Sequence, residues 1–296
     1  MIDILLATYN GEKYIESQLY SLLAQTHKEW QLIIHDDGST DNTIDIIKRF
    51  QALDSRIIFI EDGIRCGGAG TNFLHLLKHS KADYTIFCDQ DDIWLENKLE
   101  VMHKRIHLEK EPCAVFVGGY LYSDKKGIMG TIPSPLLKEF KDLFFIAGGL
   151  QGCSLMFNKR LRELVVDYDG YMVMHDFLLT IAAITFGKLV YINKELMLYR
   201  QGHEAKVTSN VERGFIKRIA NRFPVVDENH HRSLIEFIQY YKDRFSENQR
   251  KLIVQYLKIY STQNILVIVY LVVKNGFKLN QSTLYLLFKI LLRPLK

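Results

Sequence analysis

Short apolar runs alternate with amphipathic segments along the first part of the chain. The apolar runs end at turn-forming residues, which predicts buried strands rather than helices. The segments between them carry apolar residues at helical spacing, which predicts amphipathic helices. This alternation with short connections is typical of an α/β fold, with a mostly parallel sheet and helices on both of its faces. The predicted strands span residues 2–7, 30–35, 56–60, 84–88 and 114–117.

The alternation loosens after Gly118, where turn-forming residues become frequent. Toward the C-terminus the pattern turns helical and basic, and it carries no motif of its own. We therefore predict one domain over residues 1–212 and a largely helical C-terminal region over residues 213–296. The elements predicted between these two parts are strands at 153–157 and 189–199 and a helix at 174–186.

The charge is distributed unevenly between these two regions. Residues 213–296 hold 15 Lys/Arg against 5 Asp/Glu, whereas residues 1–212 hold 23 against 29. A basic region of this kind suggests an anionic partner, either nucleic acid or a membrane surface. No base-reading or RNA-binding motif accompanies the charge, so we expect no nucleic-acid partner.

Two apolar stretches in the basic region favour a membrane surface over nucleic acid. Residues 265–273 are all apolar, and residues 284–293 are apolar with interspersed cations. A spanning helix needs about 20 apolar residues, so neither stretch is expected to cross a membrane. Apolar residues mixed with Lys and Arg are typical of a segment that lies on anionic lipid. The alternative is a helical tail that packs on the domain of residues 1–212 or on a second protomer.

The N-terminal segment and the cysteines indicate a cytoplasmic protein. The first residues lack the basic and apolar regions of a signal peptide. The four cysteines are widely spaced without metal-ligand spacing, which predicts reduced side chains.

The strongest chemical signal follows the predicted strand at 84–88. Asp89, Asp91 and Asp92 come directly after this strand, at the edge of the sheet where ligands bind in open α/β folds. Carboxylates this close repel one another unless a cation lies among them. Their oxygen atoms suit Mg²⁺ or Mn²⁺, which in turn hold phosphate groups. The alternative is a solvated acidic turn that caps the next helix.

Two other strand ends offer candidate ligand-binding residues. Asp37 follows the second strand, where its carboxylate could accept a hydrogen bond from a base or a ribose. Tyr9 follows the first strand and could stack on a nucleobase, although an ordinary aromatic at the edge of the core would look the same. The chain has no P-loop motif and no dinucleotide-binding fingerprint.

Five motifs in register resemble the family 2 glycosyltransferases, which have the GT-A fold, invert the anomeric centre and use nucleotide-sugar donors. The resemblance covers roughly residues 1–205, and it is closest to the bacterial rhamnosyltransferase-like enzymes of O-antigen and capsule synthesis. The motifs are Ala7-Thr8-Tyr9-Asn10-Gly11, Gln25-Thr26 before Trp30, Asp36-Asp37-Gly38-Ser39-Thr40-Asp41, Asn72-Phe73 and Asp89-Gln90-Asp91-Asp92-Ile93-Trp94.

The resemblance implies roles for the residues at the strand ends. Tyr9 would stack on the base of the donor, Asp37 would bind the N–H edge of that base, and Thr8 would line the same pocket. Asp91 would be the principal ligand of the Mg²⁺ or Mn²⁺ ion, with Asp89 at the ribose or the metal. Asp92 would face the donor sugar or support the metal ligands. Residues 1–117 would form the nucleotide-binding half and residues 118–212 the acceptor half.

In the acceptor half, the resemblance implies that Asp176 is the catalytic base. An inverting transfer needs one carboxylate to remove the proton of the acceptor hydroxyl. Without the resemblance, Asp176 would be an ordinary carboxylate at a helix start. The segment from Tyr199 to His203 resembles a family loop in which Arg200 approaches the diphosphate and His203 the metal. Gly202 shifts that register, which weakens the match at His203.

These features together predict an inverting, metal-dependent glycosyltransferase. It would move a hexose or deoxyhexose from a dTDP- or UDP-sugar to a growing cell-surface glycan, which would be carried on a polyprenyl lipid. A peripheral position at the inner face of the cytoplasmic membrane would suit that acceptor. One alternative is a non-catalytic subunit that binds nucleotide sugars. The other is a sugar nucleotidylyltransferase, which would normally carry a basic, glycine-rich loop after the first strand.

Overall fold

The computed structural model describes residues 1–133, 137–146, 149–201 and 224–296. These residues form two compact units, and segments of the second interrupt the first along the chain. The first unit holds residues 1–133, 150–167 and 174–201, and the second holds 137–146, 149, 168–173 and 224–296. The division predicted between residues 212 and 213 lies outside the described ranges and stays a prediction.

The first unit is built on one sheet of nine strands within the described residues. The order across the sheet is β3-β2-β1-β4-β8-β6-β9-β5, and β7 pairs with β6 off this path. The strands are β1 (Ile2–Thr8), β2 (Trp30–Asp36), β3 (Ile57–Ile60), β4 (Tyr84–Asp89), β5 (Ile93–Trp94), β6 (Cys113–Ser123), β7 (Gly127–Thr131), β8 (Leu155–Asn158) and β9 (Lys188–Arg200).

Six helices of the first unit connect these strands. The side chains on the two faces of β1 show how these helices cover the sheet. Ile4 belongs to the core shared with the first, second and fourth helices, whereas Leu5 is buried but lies outside that core. The third helix covers the opposite face, because its Phe73 packs edge-on against Phe87 of β4. The helices are α1 (Ile15–Leu23), α2 (Thr43–Leu53), α3 (Ala69–Leu77), α4 (Lys98–Ile106), α5 (Lys159–Val165) and α6 (His175–Phe186).

The predicted α/β fold with a mostly parallel sheet is confirmed. Strands β3, β2, β1 and β4 are mutually parallel, and β6 and β9 are parallel to each other. Strand β8 runs antiparallel between β4 and β6. A fully buried apolar run looks the same in either direction, so the sequence pattern could not predict the direction of β8.

The second unit is helical in its C-terminal part. Its core is rich in aromatic side chains, as where Phe144 and Phe145 both pack on Tyr256 and Phe277. No helix in the described part of the chain is long and apolar enough to cross a membrane. The helices are α7 (Glu228–Tyr240), α8 (Glu247–Ser261), α9 (Ile265–Asn275) and α10 (Thr283–Leu292).

Candidate active site

The sheet brings the predicted ligand-binding residues to one edge. In the strand register, Thr8 of β1 lies opposite Asp36 of β2, and Ala7 of β1 lies opposite Asp89 of β4. The residues that follow these strands are therefore neighbours. Tyr9, Asp37 and the acids after β4 meet there because parallel strands end at the same side of a sheet.

Gln90 ties the end of β1 to the end of β4. Its side-chain amide donates to the carbonyl oxygen of Tyr9 at 2.9 Å, and its Oε1 accepts the Tyr9 N–H at 3.0 Å. Gly11 leaves room for this side chain, since an added Cβ would lie 2.3 Å from Gln90 Oε1. The Tyr9 ring itself is 55% exposed, so its face is accessible to a stacking partner.

Thr8 and Asp37 are both engaged within the protein. Thr8 is buried and its hydroxyl donates to Asp36 at 2.7 Å. The Asp37 carboxylate accepts the backbone N–H groups of Cys66, Gly67 and Gly68. Asp37 therefore orders the glycine-rich segment before α3.

The acids after β4 differ in their surroundings. Asp89 and Asp91 are partly exposed, whereas Asp92 is fully buried and accepts the Arg200 N–H at 3.1 Å. One oxygen of Asp89, one of Asp92 and the Cys153 sulfur lie within 4.8 Å of one another. Burial, and after it the charges of Asp92 and Asp89, raises the pKa of Cys153 well above its usual value. Cys153 therefore remains a neutral thiol, and the charged groups here are carboxylates.

Lys98 lies beneath these acids, and the sequence reasoning missed it. Its side chain is fully buried, its Nζ donates to the Cys153 carbonyl oxygen at 2.7 Å, and the same atom lies 3.7 Å from the centre of the Trp94 ring. Burial lowers the pKa of Lys98 to about 8, although Asp92 and Asp89 act in the opposite direction. Near neutral pH most of the population carries a positive charge under the carboxylates.

Asp176 lies at the first turn of α6 and is partly exposed. Loss of solvation, and after it the negative charge of Asp89, raises the pKa of Asp176 to about 7. Backbone N–H groups of Phe177 and Gly152 act in the opposite direction. A carboxyl group with a pKa near neutrality is suited to taking a proton from a hydroxyl and to releasing it again.

His175 fixes the start of α6 against the sheet. Its ring centre lies 4.1 Å from that of Phe73 and 4.6 Å from that of Phe87. Neither ring nitrogen has a hydrogen-bond partner among the described residues. Burial lowers the pKa of His175 to about 3, so the ring is neutral. An added Cβ at Gly152 would lie 2.5 Å from Nε2, which explains why glycine fits at this position.

Comparison with known proteins identifies the family. The sequence model described as "Glycosyl transferase family 2" matches residues 3–165, more than half of the chain. This chain belongs to glycosyl transferase family 2. It is therefore a glycosyltransferase that acts on nucleotide sugars in polysaccharide biosynthesis.

Individual relatives agree with this membership. The chain is 34% identical over 222 residues to the dTDP-rhamnosyl transferase RfbG of Shigella flexneri, covering 70% of this chain and 74% of RfbG. It is 33% identical over 138 residues to WfgD of Escherichia coli, a UDP-Glc:alpha-D-GlcNAc-diphosphoundecaprenol beta-1,3-glucosyltransferase. That match covers 46% of this chain and 51% of WfgD, so the chain spans about half the length of this relative.

A solved structure shares the fold. The mannosyltransferase PcManGT from Pyrobaculum calidifontis, in complex with GDP-Man and Mn²⁺, superposes with a TM-score of 0.52 at 13% identity. The likeness covers 98% of this chain and 86% of PcManGT. The predicted GT-A fold of a family 2 glycosyltransferase is thereby confirmed.

Arg200, expected at the diphosphate of the donor, is buried in this family 2 enzyme. Its Nε donates to the Asp91 carbonyl oxygen at 2.8 Å, and its guanidinium pairs with Asp124. These contacts hold the turn that carries Asp91. His203, predicted as a metal ligand, lies outside the described residues.

Proposed function

We propose that this protein is an inverting, metal-dependent transferase that moves a deoxyhexose or hexose from a nucleoside diphosphate sugar to a lipid-linked saccharide. The observation that carries the proposal is the position of Asp176. This carboxyl group has a pKa of about 7, and the charge of Asp89 at the end of β4 contributes to that value. A proton acceptor and the acids of the donor side therefore belong to one site.

Asp176 would act as the general base of the transfer. Its carboxylate takes the proton of the acceptor hydroxyl while that oxygen attacks the anomeric carbon from the side opposite the leaving diphosphate. One bond to the anomeric carbon forms as the other breaks, so the configuration inverts and no covalent enzyme intermediate forms. The neutral ring of the neighbouring His175 packs on Phe73 and Phe87, which fixes the start of α6.

The donor side would be built on the ends of the first, second and fourth strands. The exposed Tyr9 ring offers a face for the base, and the segment ordered by Asp37 borders the same pocket. We assign base binding to the pair Tyr9 and Asp37, with the buried Thr8 supporting Asp36 next to them.

The acids after β4 fit a divalent cation. Asp89 and Asp91 present oxygen atoms at a partly exposed edge, and after loss of solvation the negative charge of Asp89 is the next cause that raises the pKa of Asp176. Oxygen ligands suit Mg²⁺ or Mn²⁺, whereas the neutral thiol of Cys153 does not. Asp91 and Asp89 would hold the ion, and Asp92 would support them through its contact with Arg200. Such an ion offsets the charge that develops on the leaving diphosphate.

The relatives indicate the chemical class of the two substrates. RfbG is named for a dTDP-rhamnosyl donor, and WfgD for a saccharide on diphosphoundecaprenol. A dTDP- or UDP-sugar donor and a polyprenyl-linked acceptor are therefore the first choices for this chain.

The test is nucleoside diphosphate release from a panel of dTDP-, UDP- and GDP-sugars, with membrane lipid extract as the source of acceptor. We expect release from one donor, dependent on Mg²⁺ or Mn²⁺ and abolished by EDTA. Asp91→Ala should abolish release, and Asp176→Asn should lower it by about 10²–10⁴-fold. Asp45→Asn, an exposed acid on α2, is the matched control and should leave release unchanged.

The alternative, a binding subunit without activity, gives a different result. Donor and metal would then raise the melting temperature of the protein, but no donor would be turned over with any lipid extract. Asp176→Asn would change nothing in that case. An NMR analysis of the product would test inversion, since retention of the donor's anomeric configuration would refute the assigned role of Asp176.

We also propose that helices α9 and α10 dock on an anionic membrane surface. Each presents an apolar stripe to solvent at i, i+4 and i+7 spacing. The stripe on α9 contains Leu266, Tyr270 and Val273, and that on α10 contains Leu284, Phe288 and Leu291; all six are exposed. A solvated helix would carry polar residues on such a face.

The charge around these stripes matches anionic lipid. Residues 248–296 contain eight Lys/Arg and no Asp/Glu. Lys274 lies at the end of α9, and Lys289 lies within α10, where its Nζ is 5.1 Å from the Tyr285 ring centre. Apolar side chains flanked by cations bind the boundary between headgroups and acyl chains, and each cation near the surface contributes about 1 kcal/mol.

Vesicle co-sedimentation tests this surface. The protein should bind phosphatidylcholine vesicles that contain phosphatidylglycerol, bind pure phosphatidylcholine weakly, and dissociate as salt is raised. The double variant Leu266→Glu/Leu284→Glu should lose binding, whereas Leu108→Glu, at an equally exposed leucine of the first unit, should retain it. Equal binding by both variants would refute the assignment.

A further inference from the structure

Three side chains form a compact cluster on the part of the first unit that carries β2, β3 and α3. His35 is the penultimate residue of β2, Asp62 follows β3, and His75 lies on α3. His35 Nε2 is 3.2 Å from Asp62 Oδ1, and His75 Nε2 is 2.8 Å from Asp62 Oδ2. All three ligand atoms lie within 4.8 Å of one another.

The hydrogen bonds around His35 determine which of its nitrogens faces the cluster as an acceptor. Asn72 Nδ2 donates to the His35 carbonyl oxygen at 3.3 Å, which orients the Asn72 Oδ1 atom toward the ring. The ring Nδ1 lies 2.7 Å from that oxygen and must donate to it. In a neutral ring, Nε2 therefore carries the lone pair, and this lone pair faces the Asp62 carboxylate.

The lone pair of His35 Nε2 and the carboxylate oxygen of Asp62 repel each other unless a positive charge lies between them. Asp62 Oδ1 accepts the backbone N–H of Ile64 at 2.9 Å, and a hydrogen bond of this kind favours the ionised carboxylate. A second proton on His35 would supply the charge as a buried imidazolium, 2% exposed, paired with Asp62. A metal ion supplies the charge while both rings remain neutral.

We infer that His35, Asp62 and His75 form a binding site for a divalent transition metal ion of the zinc class. Two ligand atoms of a tetrahedral zinc ion lie about 3.3 Å apart, close to the 3.2 Å between His35 Nε2 and Asp62 Oδ1. A metal-bound histidine usually donates a hydrogen bond from the ring nitrogen that does not bind the metal, and His35 donates one to Asn72. Asp62 is exposed and His75 is partly exposed, which provides an entry path and a fourth position for water.

The site would stabilise the segment that borders the predicted base-binding pocket. Asp62 begins the segment whose residues 66–68 donate to Asp37, and its Oδ1 also accepts the Ile64 N–H at 2.9 Å. A metal ion joining Asp62 to β2 and α3 would therefore order residues 62–68 before any donor binds. This inference does not depend on the transfer chemistry, and its failure would leave the proposed function untouched.

The test is a zinc titration of the full chain, freed of metal with a chelator and kept in excess Mg²⁺ so that the acids after β4 are occupied. Calorimetry should show one Zn²⁺ site, and Co²⁺ in its place should give the intense visible absorption of a tetrahedral ion. His75→Gln and Asp62→Asn should each weaken binding by at least about 10-fold. Hydrogen exchange of residues 62–68 should slow when Zn²⁺ is added.

His79→Gln is the matched control. Its ring lies next to that of His75, 5.1 Å between centres, but it is outside the cluster, so Zn²⁺ affinity should not change. Circular dichroism of each variant checks that the fold is intact. The inference fails if folded wild type binds no Zn²⁺, or if both cluster variants bind it as tightly as wild type. Two proton resonances on the His35 ring nitrogens in metal-free and zinc-treated protein alike would then identify a buried imidazolium.

Discussion

The carboxylate of Asp89 at the end of β4 adds to the loss of solvation that raises the pKa of Asp176 at the start of α6. These residues are 87 positions apart along the chain, and the packing of α6 against the sheet brings them into electrostatic range. The acid of the donor side therefore tunes the carboxyl group proposed to act on the acceptor.

The first prediction concerns the pH dependence of catalysis. Asp176 accepts a proton only when it is ionised, so kcat/KM should rise about tenfold per pH unit below pH 7 and level off above it. A divalent cation beside Asp89 opposes the repulsion that raises this pKa. The acidic limb of the pH profile of kcat, measured with saturating donor and Mn²⁺, should therefore lie at lower pH than the acidic limb of the kcat/KM profile. Coincidence of the two limbs would argue against the coupling.

The second prediction concerns stability. The pKa of Asp176 is higher in the folded state than its usual value of 3.8, so the folded protein holds this proton more tightly than the unfolded chain. The stabilisation is present below about pH 4 and is lost as pH rises through about 7. Asp176→Asn removes the penalty of ionising this poorly solvated carboxyl group and should raise the free energy of unfolding at pH 8 by roughly 1–3 kcal/mol. Urea denaturation at pH 8 measures this change.

The same substitution is expected to lower activity. A gain in stability that accompanies a loss of turnover is typical of a group retained for function rather than for folding. Asp45→Asn should alter neither quantity. A loss of stability in Asp176→Asn at pH 8 would instead indicate a structural carboxylate at the helix start.

The third prediction concerns Lys98. Lys98→Met keeps most of the side-chain volume but removes the charge beneath Asp92 and Asp89, leaving the fully buried Asp92 poorly compensated. The buried Cys153 carbonyl oxygen also loses its Nζ donor, so we expect a loss of roughly 1–3 kcal/mol in the free energy of unfolding. The matched control is Lys104→Met on the same helix, where the pair with Glu100 is exposed to solvent and contributes little to stability. Similar melting temperatures for the two variants would contradict the assigned role.

The fourth prediction concerns Gly152. Gly152→Ala would place its Cβ 2.5 Å from His175 Nε2, so the ring must move and the adjacent Asp176 should move with it. We expect kcat to fall more than the donor KM rises. Gly70→Ala touches the same turn, but its Cβ would lie an ordinary 3.6 Å from Met174, so activity should be retained. Steady-state kinetics of both variants provides the comparison.

Much of the donor side could be predicted because its signals are local in sequence. Apolar runs followed within three residues by Tyr9, by Asp37 and by Asp89 mark three strand ends, and adjacent parallel strands bring their ends together. Lys98 could not be found in this way. A lysine on a short helix is normally solvated, and only the packing of Trp94 and Cys153 around it shows that it is buried.

The sequence by itself determined the alternation of strands and helices, the family, and the acids at the strand ends, because side-chain periodicity and neighbouring residues are properties of the chain alone. Only the tertiary structure decided the direction of β8, the charge beneath Asp92, the pKa of Asp176 and the meeting of His35 with Asp62 and His75. Each of these depends on contacts between residues far apart in the sequence. Burial then sets the strength of those contacts, since a charge is costly wherever water is excluded.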